Sequence, residues 1–402
     1  MRKKALALMA AAALAGGAGA FDIAADRQID GDAPTLIGEG AGNTVTPSGA
    51  SPDWTYSWAD RDGDGSSNAV AEAGLNLGAH MLFCGRPNGT SRGEIVLDLN
   101  GGDMAGTGQT AIRSRRHNPE GATRNERLGS SDSIVIRDAG AIAMGGIDAQ
   151  GWHEYVSTDY RAGDIVIGSL ESRAGPVRAG YLYAFAVGGR ARAGDIELYS
   201  SGDAIVADAA GNPGDIRTET EGWSGGDVRI DHFGRFLAGR ILTHTVGNRA
   251  VGVRAGDIVL NGGDSSGDAD IGEIAAWNRK SNYSSALRAL ISVSNYRAVR
   301  IGDIDGAFDG GNVARYGADL IIDTGIAGDI ELTGLLDLRS VYAGNALPAY
   351  RGQARLVCAG TVSLAALDLD LVRHILLDSG FGFSENWGIR FPRDGISIDR
   401  KI

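Results

Sequence analysis

A five-residue frame of glycine, aspartate, aliphatic, variable and aliphatic residues returns along this chain at a nearly constant interval. It is clearest at Gly163-Asp164-Ile165-Val166-Ile167, Gly194-Asp195-Ile196-Glu197-Leu198, Gly226-Asp227-Val228-Arg229-Ile230, Gly256-Asp257-Ile258-Val259-Leu260 and Gly328-Asp329-Ile330-Glu331-Leu332. Looser copies stand at Gly93-Glu94-Ile95-Val96-Leu97, Asp132-Ser133-Ile134-Val135-Ile136, Gly302-Asp303-Ile304 and Gly360-Thr361-Val362-Ser363-Leu364. A turn pair followed by apolar, variable, apolar is the period-2 signature of a strand with one buried face. The first aliphatic residues, from Ile95 to Val362, are separated by 39, 31, 31, 32, 30, 46, 26 and 32 residues. Five of these eight intervals fall between 30 and 32. That regularity requires an array in which each unit buries its apolar face against its neighbours.

A second frame, G-x-[IVF]-x-x-G-x-[IL], keeps the same register at Gly140 to Ile147, Gly175 to Leu182 and Gly234 to Ile241, and Gly267 to Ile274 fits it with Ala269 in the apolar slot. Each unit therefore holds at least two strands. Tyr181 to Val187, Arg240 to Val246 and Leu287 to Val293 are candidates for a third. A propeller blade needs a longer unit of about 40 to 50 residues. Short strands, glycine corners and coils of roughly 30 residues predict an all-β chain, a parallel β-helix (β-solenoid). A β-sandwich with accidental repetition is the alternative.

In chain order, residues 1–20 read as a secretory signal. Arg2, Lys3 and Lys4 precede an apolar core, Ala5 to Ala15, and a small-residue cleavage site, Ala18-Gly19-Ala20. The core is too short for a spanning helix, so no transmembrane segment is expected. Residues 21–92 read as an N-terminal arm and cap, 93–364 as the solenoid repeats and 365–402 as a C-terminal cap and tail. The expected location is secreted, periplasmic or at the cell surface of a bacterium. A formal net charge of −12 argues against nucleic acid as a partner. Cys84 and Cys358 are the only cysteines. About eight coils at about 4.8 Å each lie between them, far beyond the reach of a bridge at about 7 Å. No intramolecular disulfide is expected.

Asp60, Asp62, Asp64 and Ser66, with Gly65 at the sixth place, match the opening of a calcium loop in which alternate oxygens converge on one hard cation. Position 12, where a bidentate glutamate belongs, is Ala71, with Glu72 one place late. The same residues also read as an acidic surface turn. A bound Ca2+ would brace the cap, and no cofactor is required. In the first long interval, Arg113, Arg115, Arg116, His117, Arg124 and Arg127 suggest a cationic loop, readable as solvated charge or as a grip on an anionic partner.

The aspartates Asp164, Asp195, Asp227, Asp257 and Asp303 should stack as a column at one corner. Two effects offset their repulsion: backbone N–H groups donating to each carboxylate within its own turn, and Arg161, Arg192, Arg254 and Arg300, each three residues earlier. The second long interval carries Asp264, Asp268, Asp270, Glu273 and Trp277 and reads as an insertion projecting from the solenoid. Function is commonly grafted on such insertions. Acidic groups beside an aromatic ring make Asp264, Asp268, Asp270 and Trp277 the candidate binding residues for a sugar or cation, against the plainer reading of a solvated loop with one anchoring tryptophan. Trp152 and Trp223 share no register position with Trp277. Leu364 to Leu377 reads as a final strand pair or a short capping helix.

Together the two frames resemble the secreted bacterial β-solenoids of the filamentous-haemagglutinin and autotransporter-passenger kind, over about residues 93 to 364. The resemblance implies a right-handed coil used for adhesion or as a surface scaffold. Pectate lyases and polygalacturonase-like hydrolases use the same fold. Their local signatures, including Gly-His-Gly and paired adjacent aspartates, are missing, and the histidines are scattered. The expected function is an exported, non-enzymatic binding or scaffold protein of the cell envelope, adhesin-like, with polysaccharide or another surface protein as partner. The alternative is a polysaccharide lyase or glycoside hydrolase of the β-helix class.

Overall fold

The computed structural model describes residues 75–84, 95–99, 101–114, 131, 133–152, 160–188, 191–246, 254–263, 266–281, 288–310, 317–324, 328–342, 352–358 and 362–368, together with short strands before, between and after them. The described regular structure is all strand, wound as a β-solenoid with ~32 residues per turn. Alternation in the repeat frame dictates the interior. Ile134, Ile165, Ile196, Val228, Ile258 and Ile291 stack rung upon rung in one parallel sheet of thirteen strands. Two residues on, Ile136, Ile167, Leu198, Ile230, Leu260 and Val293 form a second inward ladder, and both ladders are sealed from solvent. Each such side chain contributes roughly 1.5–3 kcal/mol by leaving water.

The second frame builds a second face. Ile142, Val177, Ala204, Phe236, Ala269, Val299 and Ile330 are register partners there, as are Ile147, Leu182, Ile216, Ile241, Ile274 and Ile304. A shorter third face follows, in which Ala186, Thr220, Thr245, Asn278, Phe308 and Ser340 succeed one another. Its last strand, Ser340–Tyr342, also takes an antiparallel partner, Asn345–Ala346. Aliphatics alone do not fill the interior. Buried Tyr296 and Phe236 occupy the space, and the Tyr296 hydroxyl hydrogen-bonds buried His232 Nε2 at 2.9 Å.

Beyond Ile258 the column of repeats differs from the sequence expectation. The next rung of the first sheet is Ile291, 33 residues on, followed by Leu320 and Ala354. Gly302-Asp303-Ile304, Gly328-Asp329-Ile330 and Val362 lie on the second face instead. The interval of 46 residues thus contains a complete coil rather than an insertion. Leu287 to Val293 holds no third-face strand, because Leu290–Ser294 belongs to the first sheet. Tyr181 to Val187 and Arg240 to Val246 each bend from the second face to the third. Val362–Asp368 and His374–Ser379 are both strands, one on each main face. No helix among the described residues is long and apolar enough to cross a membrane. Cys358 is buried on the first sheet and forms no disulfide, whereas Leu82–Cys84 runs in the second.

The aspartate column is a hydrogen-bonded ladder. Asp164 Oδ1 accepts from the Asp195 N–H at 2.9 Å, Asp195 Oδ1 from Asp227 and Asp227 Oδ1 from Asp257, both at 2.8 Å. Asp257 Oδ1 passes the pattern to Leu290 N–H at 2.8 Å. Asp303 is not a member: it stands on the second face and accepts from Leu335 N–H at 2.7 Å. Of the four arginines, Arg161 pairs with Asp164 at 2.8 Å and Arg254 with Asp257 at 2.5 Å, close to Asp227 as well. Arg192 keeps the column's register but lies over the Trp223 ring, and Arg300 faces Glu331 on the second face. Burial, then the charges of Asp164 and Asp227, push the Asp195 carboxyl above its ordinary range. The bond from Asp227 N–H and the Arg161 charge oppose that rise.

This ladder yields a quantitative expectation. Asp227→Ala strands the Asp257 N–H, and because Asp227 is half exposed, water recovers part of the bond. The cost should be about 1 kcal/mol, read as a lower midpoint in chemical denaturation. Asp227→Asn keeps an Oδ1 acceptor and should cost less. Equal losses in the two variants would show that charge, not the ladder bond, is what matters there.

Candidate functional site

Where the second face turns into the third, outward positions at consecutive coils bring together side chains that are far apart in sequence. Register pairing aligns Ala186, Thr220, Thr245 and Asn278, which point inward. The residues just before them, Phe185, Glu219, His244 and Trp277, therefore succeed one another along the outside of the corner. Two places earlier stand Tyr183, Arg217, Leu242, Ala275, Asp305 and Asp337. Four coils thus share one ridge of aromatic, guanidinium and carboxylate groups, and three rung steps of about 4.8 Å give it a length of about 14 Å.

The rings and arginines are interleaved. Tyr181 and Tyr183 stack with centroids 4.2 Å apart, and Phe185 meets Tyr183 edge-on at 5.6 Å. Arg217 lies over both Phe185, at 4.4 Å, and Tyr183, at 5.3 Å. The His244 ring stacks on Trp277 at 4.0 Å with 18° between planes, and Arg279 lies over the same indole at 4.1 Å. Such contacts hold flat side chains in place. Carboxylates hold the arginines from the other side. Arg217 donates from Nε to Glu219 at 2.7 Å and Arg240 to Asp215 at 3.1 Å. Arg279 meets Asp305 at 3.1 Å, Arg339 meets Asp337 at 2.9 Å and Arg113 meets Asp148 at 3.2 Å.

Burial sets the protonation states. It pushes the His244 imidazole down to about 4, helped by the positive charges of Arg217 and Arg279, so the ring is neutral at pH 7. It pushes the Glu219 carboxyl up, with Arg217 pulling the other way. Asp305 is raised by burial and by Asp337, against the Ala307 N–H bond, Arg279 and Arg339. Glu219 Oε2 and His244 Nδ1 are buried atoms with no hydrogen-bond partner. Neutral rings and internally paired charges favour stacking and hydroxyl contacts. The described residues contain no group of three or more His, Cys, Asp or Glu that could hold a metal ion.

Of the binding residues expected from sequence, Trp277 is on this ridge. Asp268 and Asp270 are not. They open the strand Asp268–Ala275, at the other end of the second face, where Asp268 pairs with Arg297 at 2.5 Å and Asp270 approaches Arg235 at 3.9 Å. They lie on a sheet strand paired on both sides rather than on a projecting loop, because the supposed insertion is a regular coil. Asp264 and the calcium-loop residues Asp60, Asp62, Asp64 and Ser66 lie outside the described residues. So do residues 115–130, which carry most of the basic cluster; Arg113 itself sits on the strand Thr110–Arg113. Trp152 is on the strand Gly151–Trp152, two positions out of step with Trp277.

Phe185, Arg217, Glu219 and His244 were not singled out by sequence reasoning. One signal was present. Ala184-Phe185-Ala186, Thr218-Glu219-Thr220, Thr243-His244-Thr245 and Ala276-Trp277-Asn278 share a frame in which a larger residue is flanked by smaller ones, at intervals of 34, 25 and 33. The flanking residues turn into the narrow corner and the middle one turns out. The threonine hydroxyls bond inside: Thr218 Oγ1 donates to the Gly226 carbonyl at 2.6 Å and Thr243 Oγ1 to that of Gly256 at 2.8 Å. No protein-family model matches the sequence, and neither a curated protein nor a solved structure matches it significantly.

Proposed function

We propose that this chain is an exported, non-enzymatic β-solenoid of the bacterial cell envelope that binds polysaccharide along the ridge from Phe185 to Trp277. The observation that carries the reading is the placement of half-buried planar side chains on consecutive coils, each fixed by a stacked or ion-paired neighbour. A linear glycan presents apolar ring faces and hydroxyl edges. Preorganised aromatic and guanidinium plates match the faces at low entropic cost, and a solenoid repeats the match along its axis. An N-terminal stretch that reads as an export signal and the acidic balance fit such a role. A scaffold needs no reacting constellation, whereas an enzyme of this fold would gather an accessible acid and base about one bond. Here the acid and imidazole on adjoining rungs, Glu219 and His244, are a carboxylate held by Arg217 and a ring covered by Trp277.

The test uses residues 21–402 incubated with a polysaccharide panel, measuring bound protein and released reducing or unsaturated ends on the same samples. Retention on at least one polymer without release of ends is expected. Trp277→Ala, with an unchanged circular-dichroism spectrum, should weaken retention at least about fivefold, as loss of about 1–3 kcal/mol of stacking would. Release of ends that depends on the protein would replace this reading with the lyase or hydrolase one.

A further inference from the structure

The charges along the ridge are balanced inside the protein, and that restricts what it can bind. Arg113, Arg217, Arg240, Arg279 and Arg339 each face a carboxylate of the same chain: Asp148, Glu219, Asp215, Asp305 and Asp337 respectively. Glu219, Asp148 and Asp337 are themselves buried, at 7%, 1% and 5% exposure, so these counter-charges are built into the wall. The neutral imidazole of His244 adds no cation between Arg217 and Arg279. An anionic polymer gains affinity by meeting unneutralised guanidinium groups. At this ridge Arg113, Arg217 and Arg339 would each have to leave a buried carboxylate without its counter-charge, and Arg240 and Arg279 a partly exposed one, which opposes binding.

We infer that the ligand class of the ridge is a neutral, hydroxyl-rich polysaccharide rather than a uronate or sulfated one. The inference rests on the glycan-binding reading above and narrows it. Stacking area supplies the affinity, and the arginines serve as flat, neutralised plates, Arg217 over Phe185 and Tyr183 and Arg279 over Trp277. Binding of this kind is insensitive to salt, because no counterions are released and no net charge is screened.

Affinity electrophoresis of the full mature chain separates the cases, using a β-glucan, a mannan and a dextran as neutral polymers and polygalacturonate, alginate and hyaluronate as acidic ones. Retardation by at least one neutral polymer is expected, changing less than twofold between low and 0.5 M salt in a parallel pull-down. Asp305→Asn is the sharper probe. The amide fills the same space but leaves Arg279 without its carboxylate partner. This variant should acquire salt-sensitive retardation by the acidic polymers. Binding of the unmodified protein to acidic polymers alone, lost at high salt, would overturn the inference and leave glycan binding standing. Retardation by none of the six polymers would reject the glycan reading and this inference with it.

Discussion

Gly226→Ala should destabilise the protein by about 3 kcal/mol or more. A methyl group built on Gly226 would collide with the carbonyl oxygen of Gly194 on the coil before, and one on Gly256 would collide with that of Gly226. Gly194 meets the Gly163 carbonyl in the same way. The obstacle in each case is backbone, which cannot rotate aside as a side chain does. Relief requires the two coils to separate, stretching ladder bonds such as Asp227 N–H to Asp195 Oδ1. This explains the glycine of the repeat by close approach of backbone to backbone rather than by an unusual φ. Gly180→Ala is the matched comparison, since the nearest atoms there would be 3.3 Å away. Equilibrium denaturation of the two variants checks the prediction. A Gly226→Ala midpoint as high as that of Gly180→Ala would show that the coils are not held at this spacing.

Acid should also destabilise the protein through His244, by roughly 3 kcal/mol between pH 7 and pH 3. The imidazole takes up its proton at about 4 when folded against 6.5 when unfolded. As pH falls, the unfolded chain is protonated first. The stability that this neutral ring contributes is therefore complete above about 6.5 and is lost progressively down to about 4. Glu219, Asp305 and Asp195, whose carboxyl groups are raised by burial, work in the opposite direction at the acidic end, because folding favours their protonated forms. His232, lowered by burial, adds to the trend. A His244→Asn variant isolates the single group. Its stability difference between pH 7 and pH 4 should be smaller than that of the parent by roughly 3 kcal/mol. Identical pH slopes in urea denaturation would sink the assignment. Protonated His244 would also stand between Arg217 and Arg279, so retention on a polysaccharide should fall as the pH drops through about 4.

The sequence by itself determined the fold class, its period and much of the interior. Period-2 alternation behind a Gly-Asp corner specifies a half-buried strand, and a 30-to-32-residue recurrence specifies stacking. Ile134 to Ile258 accordingly occupy successive rungs as their spacing requires. The stacking of the aspartates was readable for the same reason, but the donor was not: each carboxylate accepts from the N–H of the next coil rather than from its own turn. What sequence did not decide was which face a given copy occupies. Gly-Asp-aliphatic is a local code for a corner followed by a strand, and two faces of one coil both use it. Asp303-Ile304 and Asp329-Ile330 look like Asp257-Ile258 yet pair on the second sheet, and only register shows it.

The ridge was beyond sequence for a related reason. Its members stand 25 to 34 residues apart and are chemically unlike, so no motif joins Phe185, Glu219, His244 and Trp277. Outward positions carry no packing constraint that would make them repeat. Stacking of coils alone brings such residues to one corner. The depression of His244 and the pairing of Arg279 with Asp305 arise only there, because burial and Coulomb attraction depend on separation in space and not on position along the chain.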